Sequence, residues 1–187
     1  VVSSLTLHLF FINMEALAQI RKPIETEMGQ YKQVFDSYLV HPNPILKEVL
    51  AGIASRRGKM MRPILTLLSA KLVAGETNDN SIYTAATYEF FHTASLVHDD
   101  VVDESEERRG QESVNNAYGN QVAVLAGDFI LANALLCATK TNNTELIEIV
   151  SIAAQDLACG ELLQLNNVKN QAITEDVYFD IIRNKND

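Results

Sequence analysis

The sequence has no tryptophan, only two cysteines, four prolines and eight glycines in 187 residues. Two cysteines cannot supply the several cross-links on which a disulfide scaffold depends, so Cys137 and Cys159, set in helical patterns rich in Ala and Leu, are expected as reduced core thiols. Scarce proline and glycine argue against a turn-rich β fold and for long helices. No Cys/His set has zinc spacing, and neither a G-x-x-x-x-G-K-S/T loop nor a G-x-G-x-x-G fingerprint occurs, which disfavours zinc and nucleotide chemistry. The net charge of −9 is spread without a long block of one sign, so nucleic acid is disfavoured as the main partner and an ordinary cytoplasmic solubility margin is expected.

With 47% hydrophobic and 21% charged residues, the chain reads as one globular domain with a real core. Its apolar opening, "VVSSLTLHLFFIN", has no basic stretch before it and no small-residue cleavage site after it, and it is too short to span a bilayer. Residues 1–13 are therefore read as a leader outside the domain and 14–187 as the domain, with no stable membrane insertion. Apolar residues recur at helical spacing over 14–38, 44–55, 63–74, 79–103, 119–140, 144–166 and 174–185, and no convincing β alternation is present. "HPNP" at 41–44 and "AGETNDN" at 74–80 break helices, Thr144 is placed as an N-cap, and Pro63 as the first residue of its helix. An all-α helical bundle follows. The segment "QVAVLAGDFILANALLCA" at 121–138 is apolar on most of its circumference, which implies burial in the bundle, in a dimer interface, or in both.

Polar chemistry concentrates in two stretches. In "LVHDDVVDESEERRG" at 96–110, helical geometry puts His92, Asp99 and Asp103 on one stripe and turns Asp100 about 100° away. Carboxylates one turn apart near a helix C-terminus repel each other and oppose the dipole, so something must compensate them. Either they form a solvated acidic end paired with Arg108 and Arg109, or they are hard oxygen ligands for Mg2+, which keeps its waters and takes carboxylates together with substrate phosphates. In "RRGKMMRP" at 56–63, Arg56, Arg57, Lys59 and Arg62 surround Gly58 just before a helix N-terminus, a place suited to anions. Together these stretches suggest two diphosphate pockets, one clamped by metal and one by cations. His92 on the stripe could donate to a phosphate, whereas His98 orients a carboxylate or packs locally.

The segments "GKMMRP", "FHTASLVHDDVVDESEERRG", "GDFILANAL" and "GELLQL", in this order and spacing, resemble the trans-isoprenyl diphosphate synthases, or polyprenyl synthetases. That resemblance implies an all-α isoprenoid-synthase bundle and a Mg2+-dependent condensation of isopentenyl diphosphate with an allylic diphosphate. By position, Lys59, Arg62, His92 and Arg109 would hold isopentenyl diphosphate. Asp99 and Asp103 would bind Mg2+, and Arg108 and Lys185 would contact the allylic diphosphate. Small Ala94 and Ser95 before the aspartates imply a long product, hexaprenyl or longer, octaprenyl included, of the kind used for quinone side chains; Phe90 and Phe91 either belong to the core or narrow the channel. A homodimer is expected. The family continues beyond "RNKND" to a second aspartate-rich motif, so the chain reads as a C-terminally truncated, N-terminal portion with little or no prenyl transfer of its own. A non-catalytic partner subunit of a full-length synthase is the alternative. A terpene cyclase would have no use for the cationic "GKMMRP" pocket.

Overall fold

The computed structural model describes residues 17–56, 58–170 and 174–186, with the side chains of 168–170, 185 and 186 outside the description. The expected leader at 1–13 and Arg57 therefore lie outside the described residues. The chain divides into two compact units, one running to Thr141 and the other from Asn142.

In the first unit, a helical stretch at 17–21 passes into a 3-10 turn, Lys22–Ile24, and then into α1, Glu25–Tyr38. The single helix expected over 14–38 is thus interrupted at Pro23, which has no N–H to continue the ladder. Helix α2, Pro44–Ser55, starts where Asn43 Oδ1 accepts from the Leu46 N–H at 3.1 Å and Pro44 occupies the first turn. Helix α3, Met61–Ala74, begins two residues before the expected start, after Met60 in the left-handed conformation with φ 52°. Its first internal bond is Ile64 N–H to the Met60 carbonyl, so Pro63 occupies a later position whose N–H has no helical partner anyway. Gly75, at φ 78°, closes this helix in the left-handed region that favours glycine.

Helix α4, Asp79–Val102, opens on a capping box between Asn78 and Ser81. A two-stranded hairpin follows, β1 Glu107–Arg108 and β2 Gln111–Glu112, with Glu107 opposite Glu112 and Arg108 opposite Gln111. Sequence patterning did not anticipate it, because strands of two residues are too short to alternate. Its signal is the turn pair Arg109–Gly110, both at positive φ (55° and 74°), as a two-residue hairpin turn requires. Helices α5, Val114–Tyr118, and α6, Asn120–Lys140, complete the unit.

Helices α4 and α6 form the centre of the core. Ala85, Ala86 and Ala94 of α4 and Ala123, Ala126 and Ala134 of α6 are buried, and such small residues let helix backbones approach closely. At Gly127 a Cβ would come within 2.3 Å of the His98 ring, so a side chain there would have to displace that ring. Phe90 is fully buried and stacks on Phe35 with ring centroids 4.1 Å apart, which makes it core rather than a channel wall. Phe91 packs against the same core. Helix α6 is long and apolar enough to cross a membrane by composition. It nevertheless buries one face in this core, while Leu125 (68% exposed) and Leu136 (52%) face outward.

The second unit pairs α7, Thr144–Asn170, with α8, Glu175–Asn186. Asn143, not Thr144, caps α7: its Oδ1 accepts from the Glu145 N–H at 2.9 Å. Of the two cysteines expected in the core, Cys137 is buried and Cys159, on α7, is exposed. Lys185 falls on α8, with its side chain outside the described residues.

Candidate active site

A cleft of about 410 Å³ opens between the start of α3, the middle of α4 and the hairpin turn, bounded by Gly58, Lys59, Met60, Met61, Arg62, Glu89, His92 and Arg109. Gly58, Glu89, His92 and Arg109 also border a second cavity of about 90 Å³ whose walls include Tyr31, Phe35, Leu96, Val97 and Val114. A cationic mouth therefore adjoins an apolar floor. Lys59, Arg62 and Arg109 are exposed, while His92 is half-buried. The N–H groups that begin α3 lie at the same rim, where a helix N-terminus favours negative charge.

Two residues at this mouth, Met60 and Arg109, hold left-handed backbone that side chains rarely adopt. The Arg109 guanidinium lies across Gly58 and donates to the Arg56 carbonyl at 3.3 Å. A Cβ on Gly58 would come 2.4 Å from Nη1 of Arg109. That atom ends a flexible side chain, so Gly58→Ala is expected to displace the guanidinium and leave the fold intact. Thermal unfolding of the variant should match the parent, while affinity for inorganic diphosphate falls about tenfold, the order of one charge-assisted contact. A large drop in stability would contradict this reading.

His92 is held neutral, its pKa lowered to about 4, first by burial and then by the charges of Arg62, Arg109 and Arg108. Between about pH 6.5 and 4 the unfolded chain binds a proton that the folded chain refuses. Stability from neutral His92 is thus complete above about 6.5 and is lost as the pH falls through about 4. Urea unfolding at pH 7 and pH 5 should show a larger loss for the parent than for His92→Gln; equal losses would exclude His92 as the source.

The acidic group divides differently from its sequence pattern. Asp99 is half-buried and Asp103 exposed, one turn apart, with the Asp103 N–H donating to the Asp99 carbonyl at 2.8 Å. Asp103 already leaves the helix, as its C-cap. Neither lines the two cavities. Among the described residues, no three His, Cys, Asp or Glu side chains are grouped closely enough to hold a metal ion.

Asp100 takes a role that sequence spacing did not assign. It is 3% exposed, and its carboxylate accepts from Nε of Arg108 at 2.7 and 2.8 Å, with Nη2 at 2.6 Å. The two residues are eight apart with a helix end between them, so no helical periodicity relates them. Its hydrogen bonds raise the Arg108 pKa against the opposing effect of burial, and the charges of Asp100, Asp99 and Asp103 add to the rise. Arg108 and Arg109, expected in separate pockets, both border the smaller cavity. Glu89, one turn before His92, was also missed; it borders both cavities. His98 packs against Gly127, with Nε2 3.4 Å from the Asp128 carboxylate and 3.3 Å from the Val124 carbonyl. Ala94 is core, and the Ser95 hydroxyl donates to the His92 carbonyl at 2.9 Å.

Residues 43–186 match the family model described as polyprenyl synthetase. The chain belongs to the polyprenyl synthetase family. It is 44% identical over 133 residues to the octaprenyl diphosphate synthase of Escherichia coli, an alignment covering 71% of this chain and 41% of that one. It is 38% identical over 167 residues to the all-trans-nonaprenyl-diphosphate synthase (geranyl-diphosphate specific) of Rhodobacter capsulatus, covering 89% and 51%. Among solved structures, a decaprenyl diphosphate synthase from Rhodobacter capsulatus superposes with a TM-score of 0.82 at 37% identity, covering 90% of this chain and 52% of that chain. A polyprenyl synthase from Caulobacter crescentus, complexed with calcium and isoprenyl diphosphate, does so with a TM-score of 0.82 at 32% identity, covering 90% and 51%. The chain spans about half the length of these relatives. Its bundle is the all-α isoprenoid-synthase fold of this polyprenyl synthetase family.

Proposed function

We propose that this chain carries the substrate-holding face of a trans-prenyltransferase that condenses isopentenyl diphosphate with an allylic diphosphate to make a long-chain polyprenyl diphosphate. One observation carries the reading: the cationic mouth adjoins an apolar floor, which suits a ligand with an anionic head and a hydrocarbon tail. The named relatives are long-chain synthases, and one solved neighbour holds an isoprenyl diphosphate with calcium.

In this reading Lys59, Arg62, His92 and Arg109 hold the diphosphate of isopentenyl diphosphate with its double bond toward the allylic partner. Arg108 contacts the allylic diphosphate. Asp99 and Asp103 would hold Mg2+; two carboxylates a turn apart fit a cation that draws its remaining ligands from water and phosphate. When bound, Mg2+ supplies positive charge that stabilises the departing diphosphate. Tyr31, Phe35, Leu96 and Val97 exclude water beside the cationic mouth, which protects an allylic cation from quenching. Ala94 and Ser95 border neither cavity, and a preference for a long product is assigned to them only by their position before the aspartates. A homodimer packed through apolar helices fits the outward leucines of α6.

Isopentenyl diphosphate, which has no allylic leaving group, is the discriminating ligand. Calorimetric titration without divalent metal should show one saturable site that Lys59→Ala weakens about tenfold. If isopentenyl diphosphate binds only when Mg2+ is added, the cation-clamped pocket does not exist and a single-substrate reading takes over.

A further inference from the structure

Asp100 is nearly fully buried, and both of its oxygens are given to one guanidinium. That grip fixes the hairpin from the α4 side. The loop is tied to the same helix end by the backbone: the Asp100 carbonyl accepts from the Ser105 N–H at 2.9 Å and from Asn115 Nδ2 at 3.1 Å. From the α2 side, Arg56 Nη1 donates to the Glu112 carbonyl. Arg109 follows Arg108 directly, in the hairpin turn at φ 55°, so the grip on Arg108 anchors its backbone, and its guanidinium lies over Gly58 in the cationic mouth. The left-handed backbone at Arg109 is maintained by these surrounding contacts.

We propose that Asp100 is a positioning residue, which by gripping Arg108 sets the hairpin so that Arg109 is presented to the anion in the neighbouring pocket. It borders the smaller cavity, but with both oxygens on Arg108 it acts on the anion through that residue. The proposal rests on the reading of that pocket as a diphosphate site. It also makes a prediction opposite in sign to simple electrostatics. Removing a carboxylate beside an anion pocket should tighten anion binding by charge alone; removing the grip should weaken it.

The test is metal-free calorimetric titration of the full chain with inorganic diphosphate, each variant first shown to be folded by circular dichroism. Asp100→Asn should weaken binding about fivefold to tenfold, in the range of one misplaced charge-assisted contact. Arg109→Ala should weaken it by a similar factor, and the double variant should be no weaker than Arg109→Ala alone, because coupled residues fail to add. Unchanged or tighter binding in Asp100→Asn, or full additivity in the double variant, overturns the proposal. If Asp100→Asn does not fold, Arg108→Lys takes its place in the same cycle: the lysine keeps the charge and loses the two-point grip. Non-additivity with Arg109→Ala then supports the proposal, and additivity overturns it. Absence of any Arg109-dependent binding in the parent chain would instead overturn the pocket reading together with the proposal; Arg109-dependent binding that Asp100→Asn leaves unchanged would overturn the proposal alone.

Discussion

Replacing Lys59 and Arg62 together with alanine is expected to weaken binding of inorganic diphosphate by roughly a hundredfold while leaving thermal unfolding nearly unchanged. Hydrogen bonds to charged groups contribute about 1.5–3 kcal/mol each, so two lost contacts exceed a hundredfold even at the low end. Both side chains are exposed and border the larger cleft. Neither belongs to the core, and surface substitutions of this kind stay within about 0.5 kcal/mol of the parent. Loss of function and loss of fold are thereby separated. The check is titration calorimetry beside a melting curve: a parallel fall in melting temperature would place these residues in the architecture instead of the pocket.

Arg108→Ala is expected to have the largest effect on stability. It leaves the Asp100 carboxylate, 4% exposed, without its guanidinium, and breaking a buried pair from one side costs about 3–5 kcal/mol. Arg108 itself is 33% exposed. Asp100→Asn should therefore cost less, because the released guanidinium can turn toward water. For a chain of this size the first change should lower the melting temperature by about 10 °C, and the second by clearly less. The reverse order would mean that the arginine, not the carboxylate, is the group that burial penalises.

Most of the helical frame was legible because its boundaries carry local chemistry. Asn43 before Pro44, Asn78 before its helix, and Gly75 after α3 each end or begin a helix through their own backbone or side-chain geometry. What escaped depends on contacts between distant residues. The left-handed start at Met60 shows nothing in composition, since methionine is a good helix former and the turn is imposed by what surrounds it. The stripe of His92, Asp99 and Asp103 follows from helical spacing, yet only His92 borders the cavities, because the hairpin reaches the pocket from the far end of α4. Helical geometry turned Asp100 about 100° from that stripe, yet Asp100 is the aspartate that borders the smaller cavity beside His92, and its partner lies in a loop whose path periodicity does not encode. Gly58 was read as part of a basic turn; the close approach of the Arg109 guanidinium shows why no side chain fits there without moving it.

In the proposed function two diphosphate sites of different kind lie side by side, one held by cations and one by carboxylates through a metal. The most direct measurement is calorimetric titration of the full chain with inorganic diphosphate, with and without Mg2+, for the parent, Lys59→Ala and an Asp99→Asn/Asp103→Asn double variant. One site is expected without metal and a second when Mg2+ is present, with Lys59→Ala weakening only the first and the aspartate variant only the second. A single site that both sets of substitutions weaken equally would contradict it.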